Sequence, residues 1–172
     1  MKFLELAKNR YSVRSFEPKK VESEKLDLIL EAGRIAPTAS NRQPQRILVI
    51  ESEKGLDMIK ECTRYHFNAP VILIVCYDQS ISWKRPMDGD DAGIVDASIV
   101  TTHMMLQTAE LGLGSTWVAH FNPEKVRELF KLENHIEPVA LLPIGYLASN
   151  SQPNPRHYER QDIKETVFYN SF

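Results

Sequence analysis

Pro70-Val71-Ile72-Leu73-Ile74-Val75-Cys76-Tyr77 is an unbroken run of apolar, largely β-branched residues. Strands with one wet face alternate in polarity, whereas a run without alternation suits a strand covered on both faces. Layers must therefore lie above and below it, and the neighbouring sequence supplies them. Upstream, Arg46 to Ile50 (RILVI) reads as a second strand and Glu53 to Arg64 as a helix. Further back, Leu26, Ile29, Leu30 and Gly33 recur at i, i+3, i+4 and i+7, the spacing of an amphipathic helix. Ser23 is placed to cap that helix, Glu24 and Asp27 suit its positive end, and Pro37 ends it. A shorter helical run covers Phe3 to Asn9. Downstream, Ile94 to Leu111 is apolar nearly all round, which predicts a central, buried helix. Gly112 stands in a good position to terminate it. Ser115 to His120 then reads as a strand, Pro123 to Leu132 as a helix and Glu137 to Tyr146 as a strand. Helices and strands intermix in the order α, α, β, α, β, α, β, α, β, which predicts an α+β sandwich. The GxGxxG turn of a Rossmann unit is missing, so dinucleotide binding of that type is not indicated.

The chain has 172 residues, 42% of them apolar and 26% charged, with a formal charge of −2. This predicts one globular domain spanning 1–172 that can bury its own core. No basic block exceeds three residues, which argues against nucleic acid or an anionic membrane as partner. Cys62 and Cys76 form no CxxC, and the five histidines show no ligand spacing, so no metal is expected. An unpaired thiol set of this kind, without a signal-peptide run at Met1-Lys2-Phe3-Leu4-Glu5, predicts a cytoplasmic protein.

Two segments carry chemistry. In Arg10-Tyr11-Ser12-Val13-Arg14-Ser15-Phe16, residues 10, 12 and 14 project from one face if the chain is extended. Two guanidinium forks and a hydroxyl then converge on one small object, and a phosphate suits them. In Ala36-Pro37-Thr38-Ala39-Ser40-Asn41-Arg42-Gln43-Pro44, prolines stiffen the backbone and small side chains let a flat ligand approach. Asn41 and Gln43 there offer both donors and acceptors, as a heterocycle with alternating C=O and N–H edges requires. A third segment is unusual in another way. From about residue 147 the chain is polar and Pro-rich (Ser149 to Arg156), yet it leads to the apolar run Thr166-Val167-Phe168-Tyr169. An extended arm ending in a strand-like run needs a surface to bury it, and a second subunit in a C2 dimer would provide one.

RYSVRSF followed some twenty residues later by APTASNRQP, then a long apolar helix running into GLGSTW, resembles the FMN-dependent nitroreductase family, as a short member. The likeness extends over essentially the whole chain, including the terminal RHYERQDIKETV. It implies a nitroreductase-like α/β/α sandwich with a central, mostly antiparallel sheet and a C-terminal arm (147–172) crossing to the partner subunit. It also implies a homodimer with FMN at the interface. Arg10, Tyr11, Ser12 and Arg14 would hold the flavin phosphate and ribityl chain, joined by Arg160, with Arg156 a weaker candidate. Pro37, Thr38, Ala39, Asn41 and Gln43 would come from the opposite subunit to line the ring. Trp117, Val118, Ala119 and His120 would pass beside the reactive flavin edge, where a backbone N–H of Ala119 or His120 donates to N5 or O4.

The implied activity is transfer of hydride from NADH or NADPH, through the flavin, to a nitroaromatic, quinone or flavin acceptor in ping-pong fashion. The hard chemistry would belong to the flavin, and no catalytic side chain is expected. Two alternatives stay open: a flavin-binding protein without turnover, and the same fold with a different reductive reaction such as dehalogenation. The chain departs from the family at Gln45, where an aromatic residue is usual, and at His120, where a small residue is common. Phe121, Asn68 and Trp83 are expected near the substrate. Trp83 belongs to a loop whose Lys84 and Arg85 are candidates for attracting a nicotinamide phosphate or an acidic substrate.

Overall fold

The structure is a computed structural model that describes residues 2–172. Its main elements are α1 (Phe3–Asn9), α2 (Ser23–Arg34), β1 (Gln45–Ile50), α3 (Glu53–Cys62), β2 (Val71–Asp78), α4 (Gly93–Glu110), β3 (Gly114–Ser115), α5 (Pro123–Phe130) and β4 (Ile136–Gly145). The sheet runs in the order β1-β2-β4-β3, and each of these pairings is antiparallel.

All eight residues of β2 are buried, as its unbroken apolar run requires. Alternate side chains enter opposite cores. Val71, Leu73, Val75 and Tyr77 pack with Ile29 of α2 and Val100 and Met104 of α4. Ile72, Ile74 and Cys76 pack with Ile59 of α3 and Val126 of α5. Each such side chain stabilises the fold by about 1.5–3 kcal/mol relative to an exposed position, so the doubly covered strand dominates the assembly. Both cysteines are free and buried, and burial pushes the Cys76 thiol up to about 12. The layering is the α/β/α sandwich expected.

Local signals explain most element ends. Asn122 accepts from Lys125 N at 3.1 Å to cap α5, with Pro123 in its first turn. Gly112 follows α4 with φ of +73°, a conformation that costs glycine little. α3 stops at Cys62, short of the Arg64 expected, and Thr63 onward turns toward the segment after β3.

Two expectations need correction. The strand expected over Ser115 to His120 pairs only at Gly114–Ser115, with one further bridge between Val118 and Leu141. The register is continuous between them and sets Thr116 opposite Pro143. Proline has no N–H to donate, so the ladder is interrupted there. Second, α4 is buried along one face only. Gly93, Ala97, Val100, Met104 and Thr108 face inward, while Ile94 and Val95 are 55% and 59% exposed. An apolar pattern reports that a face wants cover, but not which chain covers it. The run Thr166 to Tyr169, expected to be buried by a second subunit, forms no strand within this chain among the described residues. Val167, Phe168 and Tyr169 are exposed.

Candidate functional site

The segment after α1 is extended and lies against β3. Val13 N donates to Ser115 O at 3.0 Å, and Ser12 forms a parallel bridge with Ser115. Val13 is buried, and a Cβ built on Gly114 would lie 2.7–2.8 Å from its side-chain carbons. Glycine at 114 therefore lets the two backbones meet. With Val13 turned inward, alternation turns Ser12 and Arg14 outward, as the sequence predicts.

The start of the C-terminal arm folds back over this segment. Asn154 Oδ1 accepts from Arg156 N at 3.0 Å and caps a short 3-10 turn, Pro155–His157. The His157 ring packs edge-on against Tyr11 at 6.2 Å, and its Nε2 hydrogen-bonds with Lys8 O at 3.0 Å. Tyr11 Oη meets Ser151 Oγ at 3.1 Å. The result is a cavity of about 330 Å³ lined by Arg10, Tyr11, Ser12, Arg14, Asn154, Arg156, His157 and Arg160.

Four arginines thus share one cavity whose lining contains no carboxylate. The arginine–carboxylate ion pairs among the described residues use Arg34, Arg46, Arg85 and Arg127, none of them from this cavity. Burial, and then the charge of Arg160, lower the affinity of Arg10 for its proton. Grouped, partly desolvated cations repel one another, and a dianion would reverse the sign of that interaction. The donor set fits a phosphate monoester.

Sequence reasoning placed Arg10, Tyr11, Ser12, Arg14 and Arg160 here, and the structure brings them together. It ranked Arg156 low and missed Asn154 and His157. Asn154-Pro155 is a cap-plus-first-turn signature that marks the fold-back.

The other segments lie outside this cavity. Pro37, Thr38, Ala39, Asn41 and Gln43 occupy the loop between α2 and β1, with Ser40, Asn41 and Gln43 all at φ near +50°. Left-handed backbone at three non-glycine positions stores strain of about 1–3 kcal/mol each, and such strain clusters at functional sites. The loop is held by Ala39 N donating to Asp96 Oδ1 at 2.8 Å and by Gln43 N donating to Thr38 Oγ1 at 3.0 Å.

Trp117, Val118, Ala119 and His120 lead away from Ser115 along β4. Val118 N and Phe121 N are bonded to backbone carbonyls. Among the described residues, the N–H groups of Ala119 and His120 donate to no protein acceptor, and both residues are exposed. Thr63 Oγ1 donates to His120 O at 2.6 Å, and the His120 ring stands edge-on to Tyr65 at 5.1 Å. Phe121, Tyr65 and Phe67 each pack against the buried cluster that contains Ile59 and Val126. Asn68 lines a separate cavity of about 240 Å³ with Lys60 and His66. Trp83 begins a self-closed loop in which Lys84 pairs with Asp91 and Arg85 with Asp88 and Asp90. Both candidate cations are thus engaged in exposed ion pairs within the loop.

Fold and site together define an α+β sandwich with an arginine-lined cavity where the N-terminal segment and the arm meet. The Nitroreductase family model matches residues 7–66 and 64–146. The chain belongs to the nitroreductase family. Among solved structures, a nitroreductase family protein from Clostridium difficile 630 is 44% identical, each chain covered in full, with a TM-score of 0.94. An FMN-dependent nitroreductase from Clostridium difficile R20291 is 26% identical over 99% of this chain and 100% of its own, at a TM-score of 0.82. A curated relative from Methanothermobacter thermautotrophicus carries the provisional name NADH dehydrogenase/NAD(P)H nitroreductase. It is 32% identical over 87% of this chain and 80% of its own length.

Proposed function

We propose that this chain is an FMN-dependent oxidoreductase that uses NADH or NADPH to reduce an electron-poor acceptor: a nitroaromatic, a quinone or a flavin. The observation that carries this reading is the carboxylate-free cavity of Arg10, Arg14, Arg156 and Arg160. FMN, when bound, supplies the hydride and electron chemistry, and the protein supplies position and electrostatics.

The four arginines and Ser12 hold the phosphate. Two or three charge-assisted contacts at about 1.5–3 kcal/mol each support tight, non-covalent retention. The free N–H groups of Ala119 and His120 would donate to the reactive edge of a bound flavin, where fixed donors stabilise developing negative charge. Donor and acceptor use the same face in turn, which gives ping-pong kinetics.

The strained 37–43 loop lines the ring of a second copy's flavin, so the working unit is a homodimer. The uncovered apolar face of α4 and the exposed aromatic arm support that assembly. Among the described residues, no helix is long and apolar enough to cross a membrane.

The test is anaerobic titration of the FMN-loaded protein with each reduced nicotinamide. NADH or NADPH should bleach the bound flavin, and nitroaromatic or quinone should restore its colour. A flavin that neither nicotinamide bleaches would contradict the enzymatic reading.

A further inference from the structure

The chain has ten arginines. Four are neutralised by carboxylates and four line the anion cavity. Of the remaining two, Arg42 belongs to the 37–43 loop, and Arg64 follows α3. Arg64 is exposed and has no carboxylate within ion-pair distance among the described residues, and its guanidinium lies over the neighbouring ring. Its Cζ lies 4.8 Å from the Tyr65 ring centroid, and Nη2 donates to Tyr65 Oη at 2.6 Å.

The shelf that holds Arg64 is fixed to the segment carrying the free N–H groups. Tyr65 stands edge-on to His120 at 5.1 Å and an interplanar angle of 79°. Thr63 Oγ1 accepts from Tyr65 N at 3.1 Å while donating to His120 O at 2.6 Å. Beyond this turn, Phe67 and Asn68 take left-handed backbone with φ of 53° and 51°. The guanidinium is thus one aromatic ring away from His120, with most of its N–H donors unspent. A stacked guanidinium has already lost much of the freedom it would lose on binding an anion, and its planar fork matches a carboxylate.

We infer that Arg64, on the Tyr65–His120 shelf, selects planar electron-poor acceptors that carry a carboxylate. This rests on the proposed placement of the Ala119–His120 segment at the reactive edge of the flavin. The aromatic body of the acceptor stacks over the ring, and its carboxylate reaches the guanidinium at the rim. The contact is partly exposed, so the selectivity weakens with salt.

The experiment compares binding of para-nitrobenzoate and its methyl ester to the FMN-loaded protein by titration calorimetry, in the wild type, Arg64→Ala and Arg64→Lys. Wild type should prefer the carboxylate roughly tenfold, equivalent to about 1.4 kcal/mol. Arg64→Ala should lose most of that preference, and Arg64→Lys should keep part of it. A wild type without preference, or one whose preference survives Arg64→Ala unchanged, would overturn the inference. Loaded protein that neither nicotinamide bleaches would refute the oxidoreductase reading instead, because the binding ratio is measured without turnover. A protein that takes up no FMN would sink both.

Discussion

Arg10 lines the arginine cavity, where its charge is unfavourably placed in the absence of an anion. Burial and the neighbouring Arg160 both oppose its charge, and no carboxylate offsets them. Its removal should therefore weaken FMN far more than it weakens the fold. Arg10→Ala is expected to lower FMN affinity by roughly tenfold to a hundredfold, one lost charge-assisted contact of about 1.5–3 kcal/mol. The melting temperature of the flavin-free protein should stay nearly constant. Fluorescence titration and a thermal scan of the same preparation check both halves. Much of this was legible in the sequence, since alternation alone groups Arg10, Ser12 and Arg14. The partnership of Arg156 and His157 was not, because it depends on a fold-back that brings residue 157 against residue 8. Nor were the left-handed residues Ser40, Asn41 and Gln43, which replace the glycine that usually announces such backbone.

At the scale of elements, the grip depends on how closely the N-terminal segment lies on β3. Gly114 sets that distance through Val13. Gly114→Ala should force the two apart, at about 1–3 kcal/mol of stability for overpacking. FMN affinity should fall with it, because Ser12 and Arg14 shift with the backbone. Pairing it with Val13→Ala makes room again and should restore part of the affinity, which a double-mutant cycle measures. A G114A variant that melts earlier yet binds FMN normally would separate the strand from the site. The doubly covered β2, α4 and its glycine stop could all be read from periodicity. β3 could not, because its interruption arises from Pro143 on a strand distant in sequence.

For the whole molecule, the exposed large apolar side chains are most numerous on the arm, at Tyr158, Ile163, Val167, Phe168, Tyr169 and Phe172, and others pair up on α1, at Phe3 and Leu4, and on α4, at Ile94 and Val95. Surface of that extent and grouping marks an interaction site. Ile94→Glu with Val95→Glu should give a monomer by light scattering, and the monomer should retain less FMN because the 37–43 loop of a second copy is lost. A charged variant that remains dimeric would place the interface elsewhere. The sequence showed that α4 needs cover on every side and the arm on one. It could not show where that cover lies, since hydrophobic patterning is blind to which chain supplies the partner.

The central claim is that arginines from the two ends of the chain hold one phosphate monoester. Its most direct measurement is the affinity of the flavin-free protein for FMN against riboflavin, which differ only in that phosphate. FMN should bind roughly a hundredfold or more tightly, from at least two charge-assisted contacts at about 1.5–3 kcal/mol each. Equal affinity for the two flavins would contradict the account.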